Sequence, residues 1–264
     1  MPSHTEKLKA DYAAHARAYN DSYPSFPNAI LESQLVVSAL GPCPGLTVLD
    51  LGGGNGARAL QALDLGAAFV DVVDLSPAML LAGQQTATHH GSDRVAWHEA
   101  DVSQPLTHLP LRGGEGGYDL VMANWVLDHA GSLAELEGMW RNIGLYLAPG
   151  GRFIGVRGGD PYAACTAEGK YGMRYKDWRD VPGGGGVFFR YEVACADPPI
   201  DVAASSWEVM YSGSTEMMEK VGIGEVETEP YENAEIVRGD AGFWKLFLEN
   251  PSMVVMKGRK LVGE

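Results

Sequence analysis

Apolar positions in the first part of the chain follow two alternating rhythms. Leu8, Tyr12, Ala16 and Tyr19 fall on one face at helical spacing and predict a helix over residues 5–20. Pro24 and Pro27 interrupt it. Asn28 is placed to cap a second helix that runs to Leu40 and stops at Gly41. Short apolar runs at 46–51, 69–74, 94–100, 118–126 and 152–156 predict five strands. Between them lie helical stretches: 57–65, one from Ser76-Pro77 towards Thr88, and 133–147. Ser76 suits an N-cap and Pro77 the first helical position, and Pro149-Gly150-Gly151 closes the third helix. This alternation predicts an α/β fold with a doubly wound, mostly parallel, Rossmann-like sheet of about seven strands.

Beyond Arg157 the rhythm breaks. Residues 158–186 are rich in glycine and aromatics and end in Gly183-Gly184-Gly185-Gly186. Two strand-like runs follow, 187–194 and 200–207, and predict an antiparallel insertion. A helix over 215–221, a strand near 225–228, a short helix or turn at 243–248 and a last strand over 251–261 resume the main fold. The whole chain, 1–264, is expected to be one domain. Residues 1–44 supply N-terminal lid helices, 45–157 the ligand-binding core, 158–212 a covering insertion and 213–264 the end of the sheet.

Composition narrows the partners. The formal net charge of −14 opposes a general nucleic-acid binder, which needs an excess of Lys and Arg against phosphate. Three widely spaced cysteines, Cys43, Cys165 and Cys195, suggest neither a disulfide framework nor a zinc site. No apolar run reaches the length of a membrane span. The expectation is a cytoplasmic monomer or homodimer with no metal, acting on a small molecule rather than on nucleic acid or membrane.

The candidate chemistry centres on Asp50-Leu51-Gly52-Gly53-Gly54-Asn55-Gly56-Ala57, a strand end, a tight turn and a helix start. Glycine permits positive φ and close approach of a ligand to the backbone. Gly52, Gly54 and Ala57 fit G-x-G-x-x-[G/A], the dinucleotide pattern. Asp50, Gly52, Gly54 and Gly56 equally fit [D/E]-x-G-x-G-x-G. That second form resembles the first motif of class I S-adenosylmethionine (SAM)-dependent methyltransferases. Asp74 ends the second strand, Asp101 the third, with Val102 beside it. Asn124-Trp125-Val126-Leu127-Asp128-His129 and Leu147-Ala148-Pro149-Gly150-Gly151 resemble later signatures of the family. The resemblance spans about residues 45–157. It implies SAM as cofactor and S-adenosylhomocysteine (SAH) as product, with Asp74 on the ribose hydroxyls and Asp101 on the adenine amino group. Leu75, Met79, Val102 and Asn124 would complete that site, and Tyr12 and Tyr19 would cover it. The N-terminal tyrosines, residues 170–175 and Phe243-Trp244 with Asn250-Pro251 are more distantly similar to small-molecule methyltransferases of natural-product pathways, including the toxoflavin N-methyltransferase type.

Methyl transfer needs alignment and exclusion of water more than acid–base chemistry, because the sulfonium is already activated. A base matters for a hydroxyl, an acidic carbon or a protonated amine. Asp128 and His129 are the candidates; the plainer reading of His129 is a loop residue that shapes the pocket. His89, His90, His98 and His108 read as surface or structural. Tyr23, Trp125, Tyr171, Tyr175, Trp207 and Tyr211 are the candidate acceptor-binding residues, with core packing as the alternative for several. Arg174 and Arg190 read as exposed. The reading is a SAM-dependent methyltransferase acting on nitrogen or oxygen, less readily carbon, of a small aromatic or heterocyclic molecule. The alternatives are an NAD(P)-dependent oxidoreductase on the same fold and a non-catalytic SAM-binding protein.

Overall fold

The computed structural model describes residues 4–88, 92–193 and 199–262, without the side chain of Ser92. His89, His90, Cys195 and the expected strand end at Ala194 lie outside them. In chain order the elements are α1 (His4–Ser22), α2 (Pro27–Leu40), β1 (Thr47–Leu51), α3 (Ala57–Asp64), β2 (Phe69–Asp74), α4 (Pro77–Ala87), β3 (Val95–Glu99), β4 (Tyr118–Asn124), α5 (Leu133–Tyr146) and β5 (Leu147–Gly158). The second half adds β6 (Met173–Asp180), β7 (Gly186–Val193), β8 (Ile200–Trp207), α6 (Glu208–Tyr211), α7 (Glu216–Lys220), β9 (Ile223–Thr228), α8 (Glu235–Gly239), α9 (Ala241–Glu249) and β10 (Met253–Lys260).

Seven strands form one sheet in the order β3-β2-β1-β4-β5-β10-β9. β1 to β5 run parallel, and β10 runs antiparallel to both β5 and β9. Alternate residues of the central strands feed two cores because both faces of the sheet are covered. Val48, Val72, Leu120 and Ile154 pack with Leu31 and Leu35 of α2 and Phe247 of α9. Leu49, Val73, Val121 and Phe153 pack with Trp140 and Ile143 of α5. Strand order reverses between β1 and β4, which opens a crevice at the C-terminal ends of these strands.

A second sheet, β6-β7-β8, is antiparallel. Its inward face joins Leu8 of α1 and Tyr23, Phe26 and Ala29 in a third apolar cluster. The N-terminal helices and the insertion therefore meet over the crevice instead of packing separately.

Local differences from the sequence reading have simple causes. Phe26 is the N-cap of α2 and Pro27 its first residue, so Asn28 lies inside the helix and does not cap it. Strand β6 has the sequence MRYKDWRD, whose charges hide its alternation; only Met173 and Tyr175 turn inward, and Asp177 takes φ 56° in a register shift. Ser76 does cap α4, accepting from the Met79 amide at 3.4 Å. His98 lies 3.5 Å from the buried Asp71, and His108 is exposed.

Gly56 shows what the turn after β1 demands. Its φ is 72°, and a Cβ there would lie 2.4 Å from the Trp97 ring. Gly56→Ala combines left-handed strain with overpacking, and should lower stability by at least about 2 kcal/mol. Urea denaturation of the two proteins measures this; an unchanged midpoint would show that the turn tolerates a side chain.

Candidate functional site

The crevice holds a cavity of about 330 Å³. All eleven residues expected at a donor site line it: Asp50, Gly52 and Gly54 from the first turn, Asp74, Leu75 and Met79 after β2, Asp101 and Val102 after β3, Asn124 at the end of β4, and Tyr12 and Tyr19 from α1. Gly52 has φ 68°, and a Cβ there would sit 2.4 Å from the Val126 side chain. Backbone must therefore form that wall.

The acids differ in how far they are satisfied. Both carboxylate oxygens of Asp50 are buried without a hydrogen-bond partner, and so are both side-chain polar atoms of Asn124. Buried polar groups are normally paired, so two adjacent orphans at the floor of a cavity mark a place for a ligand's donors. Burial pushes the Asp50 carboxyl up to about 7, against the pull of the Arg58 charge. Asp74 accepts one backbone N–H on each oxygen, from Gly54 and Ser76, both at 2.8 Å. Burial still raises it to about 6. Asp101 accepts from the Ser103 amide at 2.9 Å. Each of these oxygens keeps a lone pair for a ligand hydroxyl or amino group.

A second cavity of about 30 Å³ opens behind the first. Tyr12, Tyr19, Tyr23, Trp125 and His129 line both. The Tyr12 hydroxyl is 2.9 Å from His129 Nε2 and 3.2 Å from the Tyr191 hydroxyl. Burial lowers the His129 pKa to about 4, with His4 adding to the effect. At neutral pH the imidazole is neutral and already engaged by Tyr12, which suits an anchor better than a base. Asp128 faces the small cavity, accepts from the Gly158 amide at 2.9 Å and is raised by burial to about 7.

Of the expected acceptor residues, Tyr23 and Trp125 line both cavities and Tyr175 lines the small one. The structure places Tyr171, Trp207 and Tyr211 elsewhere. Tyr171 stacks on Trp244 at 5.0 Å and donates its hydroxyl to the Phe243 carbonyl, which fixes α9. Trp207 is buried and donates its indole N–H to the Ala130 carbonyl at 3.0 Å. Tyr211 ends the short α6 and lines neither cavity. Arg174 is exposed and pairs with Glu192; Arg190 is half-buried and pairs with Asp201 and Asp11.

Sequence reasoning missed Glu32, Arg58 and Tyr191. Glu32 is 3 % exposed. One of its oxygens takes Nε and an Nη of Arg58 at 3.0 and 2.8 Å; the other takes Tyr23 and Trp125 at 2.9 and 2.8 Å. Burial opposes the Arg58 charge, but Glu32 outweighs it and raises the pKa. Two signals were available. Glu32 interrupts the apolar stripe of α2, and Arg58 puts a cation at the start of α3, where the helix dipole disfavours it.

A family model described as a methyltransferase domain matches residues 49–153. The ribosomal protein L11 methyltransferase of Trichlorobacter lovleyi is 32% identical over 110 residues, which are 41% of this chain and 31% of that protein. The chain thus spans about a third of the length of the curated relatives it matches. The solved CcbJ methyltransferase from Streptomyces caelestis has a TM-score of 0.64 at 18% identity, covering 97% of this chain and 99% of its own. The 1,6-didemethyltoxoflavin-N1-methyltransferase of Burkholderia thailandensis, solved with its namesake and SAH, has a TM-score of 0.56 at 18% identity, over 97% of this chain and 88% of that one. These neighbours share the Rossmann-like fold with its N-terminal helices.

The orphan acid has a measurable consequence. Between the ordinary carboxyl value of 3.8 and about 7, folded protein keeps the Asp50 proton while unfolded chain releases it. This group's contribution to stability therefore falls as pH rises through that window. Asp50→Asn should raise the unfolding free energy by about 2–3 kcal/mol more at pH 8 than at pH 5. Urea titrations at both values test this, and equal effects would contradict the assignment.

Proposed function

We propose that the chain is a SAM-dependent methyltransferase acting on nitrogen or oxygen of a small molecule, a reading supported by the match of residues 49–153 to a methyltransferase-domain family model. The observation that carries the donor assignment is the pair of orphaned side chains, Asp50 and Asn124, beneath the glycine turn. They fit the ammonium of an amino-acid tail. A dinucleotide would put a pyrophosphate over the same turn, and an unpaired buried carboxylate there would repel it.

SAM supplies an activated methyl group on a sulfonium. The protein's own residues do the rest. Asp74 accepts the two ribose hydroxyls on oxygens already oriented by the Gly54 and Ser76 amides. Asp101 takes the adenine amino group, with Leu75, Met79 and Val102 as apolar walls. Arg58, held by Glu32, presents a guanidinium on the cavity wall for the tail carboxylate. Tyr12, Tyr19 and Tyr23 close the top and exclude water, which strengthens each of these contacts.

A protein acceptor is the second reading, because curated relatives are named as methyltransferases of ribosomal proteins. The inner cavity argues for a small acceptor group, since its walls come from α1, the insertion and the end of β4 and leave about 30 Å³.

Calorimetric titration with SAH and with NAD separates the donor readings; binding of SAH and not NAD is expected. Asp74→Ala should weaken SAH by about 10- to 100-fold through loss of two charge-assisted hydrogen bonds. NAD binding without SAH binding, or unchanged SAH affinity in the variant, would overturn the assignment.

A further inference from the structure

The small cavity has a chemical bias that the donor site lacks. None of its lining residues is Lys or Arg, and its one ionisable acid is Asp128. Tyr12, Tyr19 and Tyr23 line it from α1 and the link after it, and Tyr175, Phe189 and Tyr191 line it from the second sheet, where Tyr175 and Tyr191 are cross-strand partners. The rings support one another: Tyr19 stacks on Tyr23 at 4.4 Å and Tyr175 contacts Phe189 at 4.6 Å. Arg157, the nearest guanidinium to Asp128, is turned to the Gly158 carbonyl and the Met256 sulfur. Glu32, behind Tyr23, adds a second negative charge, balanced by Arg58 on the donor side.

Size and charge together select the occupant. At roughly 10–15 Å³ per water-sized group, the cavity admits about two or three heavy atoms and no flat ring. An anion would meet only phenols, a neutral imidazole and a carboxylate. A cation would meet aromatic rings and a carboxylate, which is the arrangement that binds ammonium groups.

We infer that the small cavity receives the ammonium head of an aliphatic amine, that the methyl goes to its nitrogen, and that Asp128 takes the proton it must first lose. This deepens the methyl-transfer reading and rests on it. The entering ammonium gives one proton to the Asp128 carboxylate. The freed nitrogen lone pair forms the N–C bond as the S–C bond breaks, and that bonding pair stays on sulfur. Positive charge passes from sulfonium to product ammonium, and Asp128 then returns its proton to water. The raised Asp128 carboxyl, at about 7, suits a group that takes and releases a proton near neutrality. An alcohol would need a stronger base. Any bulky or cyclic part of the acceptor lies in the larger cavity, with only the amine arm reaching the tyrosines.

The test uses 4-fluorobenzylamine, 4-fluorobenzyl alcohol and 4-fluorobenzoate, followed by fluorine NMR on protein saturated with SAH. The amine alone should broaden at millimolar concentration. Asp128→Asn, which keeps an acceptor for the Gly158 amide, and Phe189→Leu, at a position that lines only the small cavity, should each weaken it about tenfold while SAH affinity is retained. Saturation with SAH is measured first, so a failure there counts against the methyl-transfer reading. With SAH bound, no amine binding, or binding of the alcohol or benzoate as tight as the amine, overturns the present inference alone. An amine affinity unchanged in both variants overturns it too.

Discussion

One buried carboxylate ties the two halves of the site together. Glu32 is the point where α2, the start of α3, the link after α1 and the end of β4 meet. A buried ion pair contributes little net stability, but removing one partner strands the other charge and costs about 3–5 kcal/mol. The arrangement is therefore all or nothing. With Glu32 in place, Arg58 is held at the donor cavity while Tyr23 and Trp125 are held at the border of the inner one. The same hydrogen-bond hub sets the spacing between the two cavities.

The covering helix is attached differently. α1 buries Leu8 and Ala16, packs Tyr12, Ala18 and Tyr19 against the third apolar cluster, and is otherwise held by polar contacts. His4 donates to the His129 carbonyl, Asp11 faces Arg190, Tyr12 meets His129 and Tyr191, and Asn20 bonds Asn55. Elements with few buried apolar contacts open at the lowest free-energy cost. The central sheet fixes the strand-end acids from below, whereas the cover over both cavities is held in good part by polar contacts.

Strand ends were legible in the sequence because their chemistry is local. An acid after an apolar run, followed by glycines, sits where the sheet topology sends ligands, and Asp50, Asp74 and Asp101 need only their own strand to be placed there. The aromatic residues of the insertion had no such rule. Tyr171, Tyr175 and Trp207 all lie near strands or turns, but only Tyr175 faces a cavity. Its direction depends on the pairing of β6 with β7, and that register is set by contacts far apart in sequence. Tyr171 and Trp207 went to hydrogen bonds with the backbone of α9 and of the loop after His129. Glu32 and Arg58 were legible in principle, each as a charge in a place that disfavours it, but neither identifies its partner without the fold.

The two cavities also share an electrostatic bias. The donor floor holds an unpaired acid, and the inner cavity holds rings and a second acid, so both ends favour positive charge. A site built for an anionic acceptor would place a cation at the far end, and Arg157 and Arg190 are both turned elsewhere, to Gly158 and Met256 and to Asp201 and Asp11. The character of the inner cavity follows from which side chains of the insertion, of α1 and of the turn after β4 point inward, and these present tyrosine rings and the Asp128 carboxylate to whatever enters.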